Sequence, residues 1–141
     1  MQRLAAPWLA LALFACAPGA PAEATGAATL AALEGGEWIA VAIDGAPLPA
    51  DARPPTAAFA DERIAGFGGC NRYTGSARVR AGGEIALGPL AATKMACPEP
   101  ASALEARFFA TLAQVARWSL DGERLTLSGA DAARSVAFAR R

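Results

Sequence analysis

The chain has 141 residues, enough for one domain and not two. Hydrophobic residues make up 54%, but much of that is alanine, so a core must rest on the Leu, Ile, Val, Phe and Trp positions. The formal net charge is zero and there is no histidine, which leaves no basic surplus for nucleic acid and excludes Ser-His-Asp and Cys-His nucleophile systems, His-containing zinc sites and facial-triad iron sites.

The first element in chain order is a leader. Met1-Gln2-Arg3 is a short positive start, and Leu4 to Ala15 is an apolar run too short to span a bilayer. Pro7, Pro18 and Pro21 argue against a stable helix docked on a domain. Residues 1–15 are therefore expected to be a signal peptide of the lipoprotein type. The end of the run, Leu13-Phe14-Ala15-Cys16, resembles the lipobox of bacterial lipoproteins at Leu13, Ala15 and Cys16, and departs from it at Phe14. That resemblance implies lipidation at Cys16 and, with Ala17 following, an outer-membrane location facing the periplasm. The alternative is ordinary cleavage near Ala22 and a soluble periplasmic or secreted protein. Removing the leader takes Arg3 with it and leaves one acidic residue in excess.

Residues 16–30 are small, rich in Pro, Gly and Ala, and read as a flexible linker. The domain is expected over residues 31–141. Strands are expected at Trp38–Ile43, ended by Asp44-Gly45; at Thr56–Ala60 and Arg63–Phe67, joined by Asp61-Glu62; and at Ala77–Arg80 and Glu84–Leu87 around Gly82-Gly83. After Pro98-Glu99-Pro100 the period changes. Leu104, Phe108, Leu112 and Val115 fall on one helical face, with Ser102 and Glu105 as a capping box, and this is the one helix expected. Strands then return at Arg117–Leu120 and Glu123–Leu127, with Asp121-Gly122 as a hairpin turn, and at Ser135–Ala139. Many strands of about five residues with one helix predict an antiparallel sheet that curls or closes, with the helix packed on it.

Between strand and helix lie two motifs, Gly68-Gly69-Cys70-Asn71-Arg72-Tyr73-Thr74-Gly75 and Thr93-Lys94-Met95-Ala96-Cys97-Pro98, followed by Glu105. With Trp38, Leu125-Thr126-Leu127 and Phe138, this pattern resembles the META domain family, the HslJ-like group of heat-shock lipoprotein domains, over about residues 31–141. The resemblance implies a mainly β fold: a highly twisted, antiparallel, β-barrel-like sheet with one α-helix packed on it. Its motif positions here are Gly69, Cys70, Asn71, Gly75, Thr93, Met95, Cys97 and Glu105. It implies no catalytic residue and no cofactor.

Cys70 and Cys97 are the only cysteines left after Cys16, and in an oxidising compartment two cysteines in one small domain indicate a disulfide. A reactive thiol pair is the competing reading, without Cys-x-x-Cys spacing or a histidine to lower a thiol pKa; two thiolates alone fall short of a structural zinc site. Asn71, Arg72 and Tyr73 are expected to be structural more than a recognition loop, Trp38 and Trp118 to be core anchors, and Glu105 to make a cap or another hydrogen bond. The carboxylates at 34, 37, 44, 51, 61 and 62 read as solvated surface.

Three functions follow. The leading expectation is a non-enzymatic envelope lipoprotein, membrane-held by its lipid, with a binding or stress role and an envelope protein as partner. The second is a small-ligand-binding barrel, which a connected apolar cavity of about 300 Å³ or more would support. The third is a periplasmic thiol-redox protein. The sequence gives neither partner nor oligomeric state.

Overall fold

The computed structural model describes residues 26–141. The expected signal peptide, the lipidation site Cys16 and most of the expected linker lie outside the described residues. The chain starts in a helix, α1 (Gly26–Leu33), and continues through β1 (Trp38–Ile43), β2 (Ala46–Pro47), β3 (Thr56–Ala60), β4 (Arg63–Phe67), β5 (Arg72–Arg80), β6 (Glu84–Leu87) and β7 (Ala91–Ala92). A second helix, α2 (Ala101–Leu112), precedes β8 (Val115–Asp121), β9 (Arg124–Gly129) and β10 (Ser135–Arg140).

The strands form a closed antiparallel barrel. Eight follow one another round the ring in the order β1, β3, β4, β5, β6, β8, β9, β10, and β10 pairs back to β1. The short strands β2 and β7 are appended to β1 and β5. Period-2 patterning drives closure. Along β5, Tyr73, Gly75, Ala77 and Val79 are buried while Arg72, Ser76, Arg78 and Arg80 are exposed, so one face of each strand must find a dry interior. That interior is filled by Trp38, Ile43, Phe59, Ile64, Leu125, Leu127, Val136 and Phe138 among others.

The two helices meet opposite ends of β1. At its start, Trp38 Nε1–H donates to the Leu33 carbonyl at 2.9 Å, and the Arg140 guanidinium donates to the Ala32 carbonyl at 2.7 Å and stacks over the Trp38 ring at 4.4 Å. At its finish, the Arg107 guanidinium donates to the Ile43 carbonyl at 3.2 Å. Leu104, Phe108 and Leu112 of α2 are buried. Phe108 lies edge-on to Phe138 at 6.4 Å and to Tyr73 at 5.6 Å, geometries that add to area burial.

Several expectations need correction. A second helix begins at Gly26, inside the stretch expected to be linker; Leu33 is fully buried, and Ala and Leu are strong helix formers. Val115 opens β8 instead of extending α2. Trp118 is only half-buried, its Nε1–H donating to the Arg80 carbonyl at 3.2 Å, so Trp38 alone is a full core anchor. The β8–β9 hairpin turns one residue later than expected. Asp121 pairs with Arg124, which leaves Gly122-Glu123 as the loop, with φ of 57° at Gly122; glycine thus takes the first loop position, as in a type II′ turn.

The Asp61-Glu62 turn is placed as expected, with both residues at positive φ, 50° and 56°. A left-handed residue other than glycine costs roughly 1–2 kcal/mol, and this turn favours glycine second. Glu62→Gly is therefore expected to raise the urea midpoint, by about 0.5–1 kcal/mol of stability after glycine's own entropy cost.

Candidate functional site

The motif residues converge where the link between β4 and β5 meets the N-terminal half of α2. Gly69 has a φ of +125° and lies 3.3 Å, measured from a hypothetical Cβ, from the Glu105 amide. A side chain there would be strained and would press on the helix backbone. This bend turns the Cys70 and Asn71 amides toward α2.

Glu105 receives them. Its Oε2 accepts from the Cys70 N–H at 3.0 Å and from the Asn71 N–H in a short bond, and its Oε1 accepts from Asn71 Nδ2 at 2.7 Å. Asn71, itself buried, passes the linkage on: its Oδ1 accepts from the Met95 N–H at 2.7 Å and from the Thr93 hydroxyl at 3.0 Å. The Thr93 oxygen in turn accepts from the Arg72 N–H at 3.2 Å. One carboxylate and one amide therefore join a bend, an extended segment and a helix, and charge-assisted bonds of this type are the stronger kind.

The Cys70–Cys97 disulfide spans the same junction, with Cα atoms 6.0 Å apart, inside the usual range. Cys70 is 5% exposed. Its sulfur carries no proton, so its 3.5 Å approach to the Met95 carbonyl is a contact and not a hydrogen bond. Gly75 faces inward on β5, where a Cβ would come within 2.6 Å of Leu90 Cδ2. Tyr73 is buried, donates to the Thr56 carbonyl at 2.9 Å, and has its phenol pushed far above its ordinary pKa by that burial. Of the expected site residues, Gly69, Cys70, Asn71, Thr93, Met95, Cys97 and Glu105 are one connected cluster, Gly75 is the barrel position behind it, and the Met95 side chain stands outward, 61% exposed.

The capping box is not formed. Glu105 is engaged with residues 70 and 71, and Glu99 takes the helix start instead. Its carboxylate accepts from the Ala103 N–H at 3.1 Å and from the Ser102 hydroxyl, while Pro100 at the N-cap position provides no side-chain bond.

Sequence reasoning missed Asp44. It sits in the β1–β2 turn at a φ of 50° and is no solvated carboxylate. It accepts from the Ser135 N–H at 3.0 Å, from the Thr111 hydroxyl at 3.2 Å and from Arg134 Nη1 at 3.0 Å. Partial desolvation pushes its pKa up, but the Ser135 amide, the Thr111 hydroxyl and the Arg134 guanidinium together bring it below the ordinary 3.8. A carboxylate lowered on folding stabilises fully above its unfolded pKa and loses that contribution as pH falls through the lowered native value. Acid titration is expected to reduce the thermal midpoint in the window at and below pH 3.8, and Asp44→Asn to flatten that limb. A calorimetric pH series on both proteins checks it.

Two depressions flank β7. One, of about 500 Å³, is bounded by Leu87, Leu90, Phe109 and Leu112 with Pro89 and Ala113. It lies between α2 and the β6–β7 connection, and its size falls within the range of small-molecule sites. The other, of about 320 Å³, is lined by Arg72, Tyr73, Thr74, Ala91, Ala92 and Thr93.

Architecture and cluster together define a small closed β-barrel, helix-capped at each end, whose signature residues fasten a glycine-rich bend to a helix. The chain belongs to the META domain family, whose profile matches residues 31–141. It is similar to a protein from Burkholderia xenovorans solved by NMR, 23% identical over 93% of this chain and 99% of that one, with a TM-score of 0.66; at that identity the likeness concerns the fold alone. A second protein solved by NMR is 26% identical over 79% of this chain and 93% of its own, with a TM-score of 0.63. No curated protein matches the sequence.

Proposed function

We propose that the chain is an exported envelope lipoprotein, anchored through Cys16 to the outer membrane and facing the periplasm, whose META domain is a non-enzymatic binding module. The observation that carries this reading is the Cys70–Cys97 bond within the signature cluster. Such bonds persist in oxidising compartments, and the leader pattern of residues 1–15 agrees. The polar groups of the cluster are occupied with one another: Glu105 and Asn71 bond to the domain's own amides and hydroxyl. Against thiol exchange stands the burial of Cys70, because exchange requires an accessible sulfur.

The intact mass of the protein extracted from membranes tests the reading. The expected species begins at an acylated Cys16 and lacks the hydrogens of both remaining thiols. Unprocessed cytosolic chain with both thiols reduced would overturn it, and a soluble species beginning near Ala22 would overturn the anchor. A second reading, small-ligand binding, is favoured by the apolar cleft beside α2, whose volume passes the minimum of about 300 Å³ set for such a site.

A further inference from the structure

The outer face of β4, β5 and β7 carries side chains that the barrel does not use. Register pairs set Arg72 beside Phe67, and set Thr74 between Ala65 and Ala91. Arg72 is exposed, and no ion pair among the described residues involves it, Arg53 or Arg63. Arg53 stacks over the Phe67 ring at 4.4 Å, and Arg63 donates to the Thr74 hydroxyl at 2.9 Å. The ladder positions between these arginines hold Ala, Phe, Thr and Ser and no carboxylate. Guanidinium groups beside hydroxyls, without a counter-charge, suit a carboxylate or phosphate oxygen.

This cationic ledge borders the smaller depression, and the apolar cleft begins on the far side of β7. Ala92 lines both. No charged or hydroxyl side chain lines the cleft. An uncharged trough and a cationic ledge that meet at one alanine are complementary in charge to a molecule with a hydrocarbon end and an anionic end.

We propose that the two depressions bind a single-chain anionic amphiphile of the fatty-acid class, its carboxylate at Arg72 and its hydrocarbon chain in the cleft against Leu90 and Phe109. This deepens the binding reading given above but requires neither export nor acylation, so the intact-mass experiment and the binding experiment fail independently.

The test titrates the full chain carrying Cys16→Ser, oxidised at Cys70 and Cys97, in detergent-free buffer with dodecanoate below its micellar concentration. Dodecyltrimethylammonium, of the same chain length and opposite charge, is the control. Expected are saturable dodecanoate binding, amide shifts confined to residues 72–74, 87–93 and 109–113, and weaker binding of the cation. Arg72→Glu is expected to raise the dodecanoate Kd by about tenfold or more with an unchanged thermal midpoint, since its exposed side chain makes no hydrogen bond or ion pair among the described residues. Ala113→Glu, at the exposed rim of the cleft, is expected to weaken both amphiphiles. Equal binding of anion and cation, shifts spread over the whole barrel wall, or no saturation would each overturn the proposal.

Discussion

Glu105→Ala is expected to lower the unfolding free energy by about 3–5 kcal/mol, from the loss of charge-assisted bonds and the stranding of partly buried donors. The Cys70 and Asn71 amides and the Asn71 side-chain amide would lose their Glu105 acceptor together, and only the side-chain amide keeps a second partner, the Met95 carbonyl at 3.4 Å. Glu105→Gln keeps the shape and one acceptor oxygen but sets a new NH₂ group among donors. It should cost less, about 1–2 kcal/mol. Asn71→Ala removes the next link, to Met95 and Thr93. The two alanine variants should fall well short of additivity, because each disables the same junction. Urea unfolding of the singles and the double checks this; full additivity would mean that the cluster is not one unit.

Removing the disulfide comes next in size. Cys70 and Cys97 are 27 residues apart, and the chain-entropy treatment gives about 3.5 kcal/mol for a loop of that length. The double variant Cys70→Ala, Cys97→Ala is expected to lose about that amount, a large share of the roughly 5–15 kcal/mol available to a small domain. Reduction of the native protein should shift the urea midpoint to match. Glu105 and the disulfide fasten the same bend, so loss of both is expected to leave 68–71 and 93–97 exchanging amide hydrogens faster than the barrel strands. Hydrogen exchange on the reduced Glu105→Gln protein reads this directly.

What the sequence revealed and what it hid divide along the range of the interactions. The turns at Asp44-Gly45, Asp61-Glu62 and Gly82-Gly83 are written in adjacent residues, and the face of α2 follows from the spacing of Leu104, Phe108 and Leu112. The fold class and the cysteine pairing were legible too, the first from strand length and turn chemistry, the second from the count of cysteines and the expectation of an oxidising compartment. Glu105 was legible as a motif position but not in its task. Ser102 and Glu105 are spaced as a capping box, and nothing local reveals that Glu99 can serve the helix start or that amides 34 and 35 residues away need the Glu105 carboxylate more. Asp44 was illegible for the same reason, since its donors lie 67 to 91 residues downstream. Strand β5 begins five residues earlier than expected, because Arg72–Ser76 acquires its partners from β4 and β7 and not from its own hairpin.

The ring is sealed by its first and last strands, with Trp38 opposite Arg140 and Ile43 opposite Val136. A growing polypeptide therefore cannot complete the barrel until its final segment has been made, and the initial strand, paired early with β2 and β3, waits nearly the whole length of the domain for its other neighbour. Long-range pairings of this sort delay folding. Until that last strand arrives the wall keeps an open seam beside β1, and a barrel not yet closed is easier to thread through a narrow pore than a sealed one.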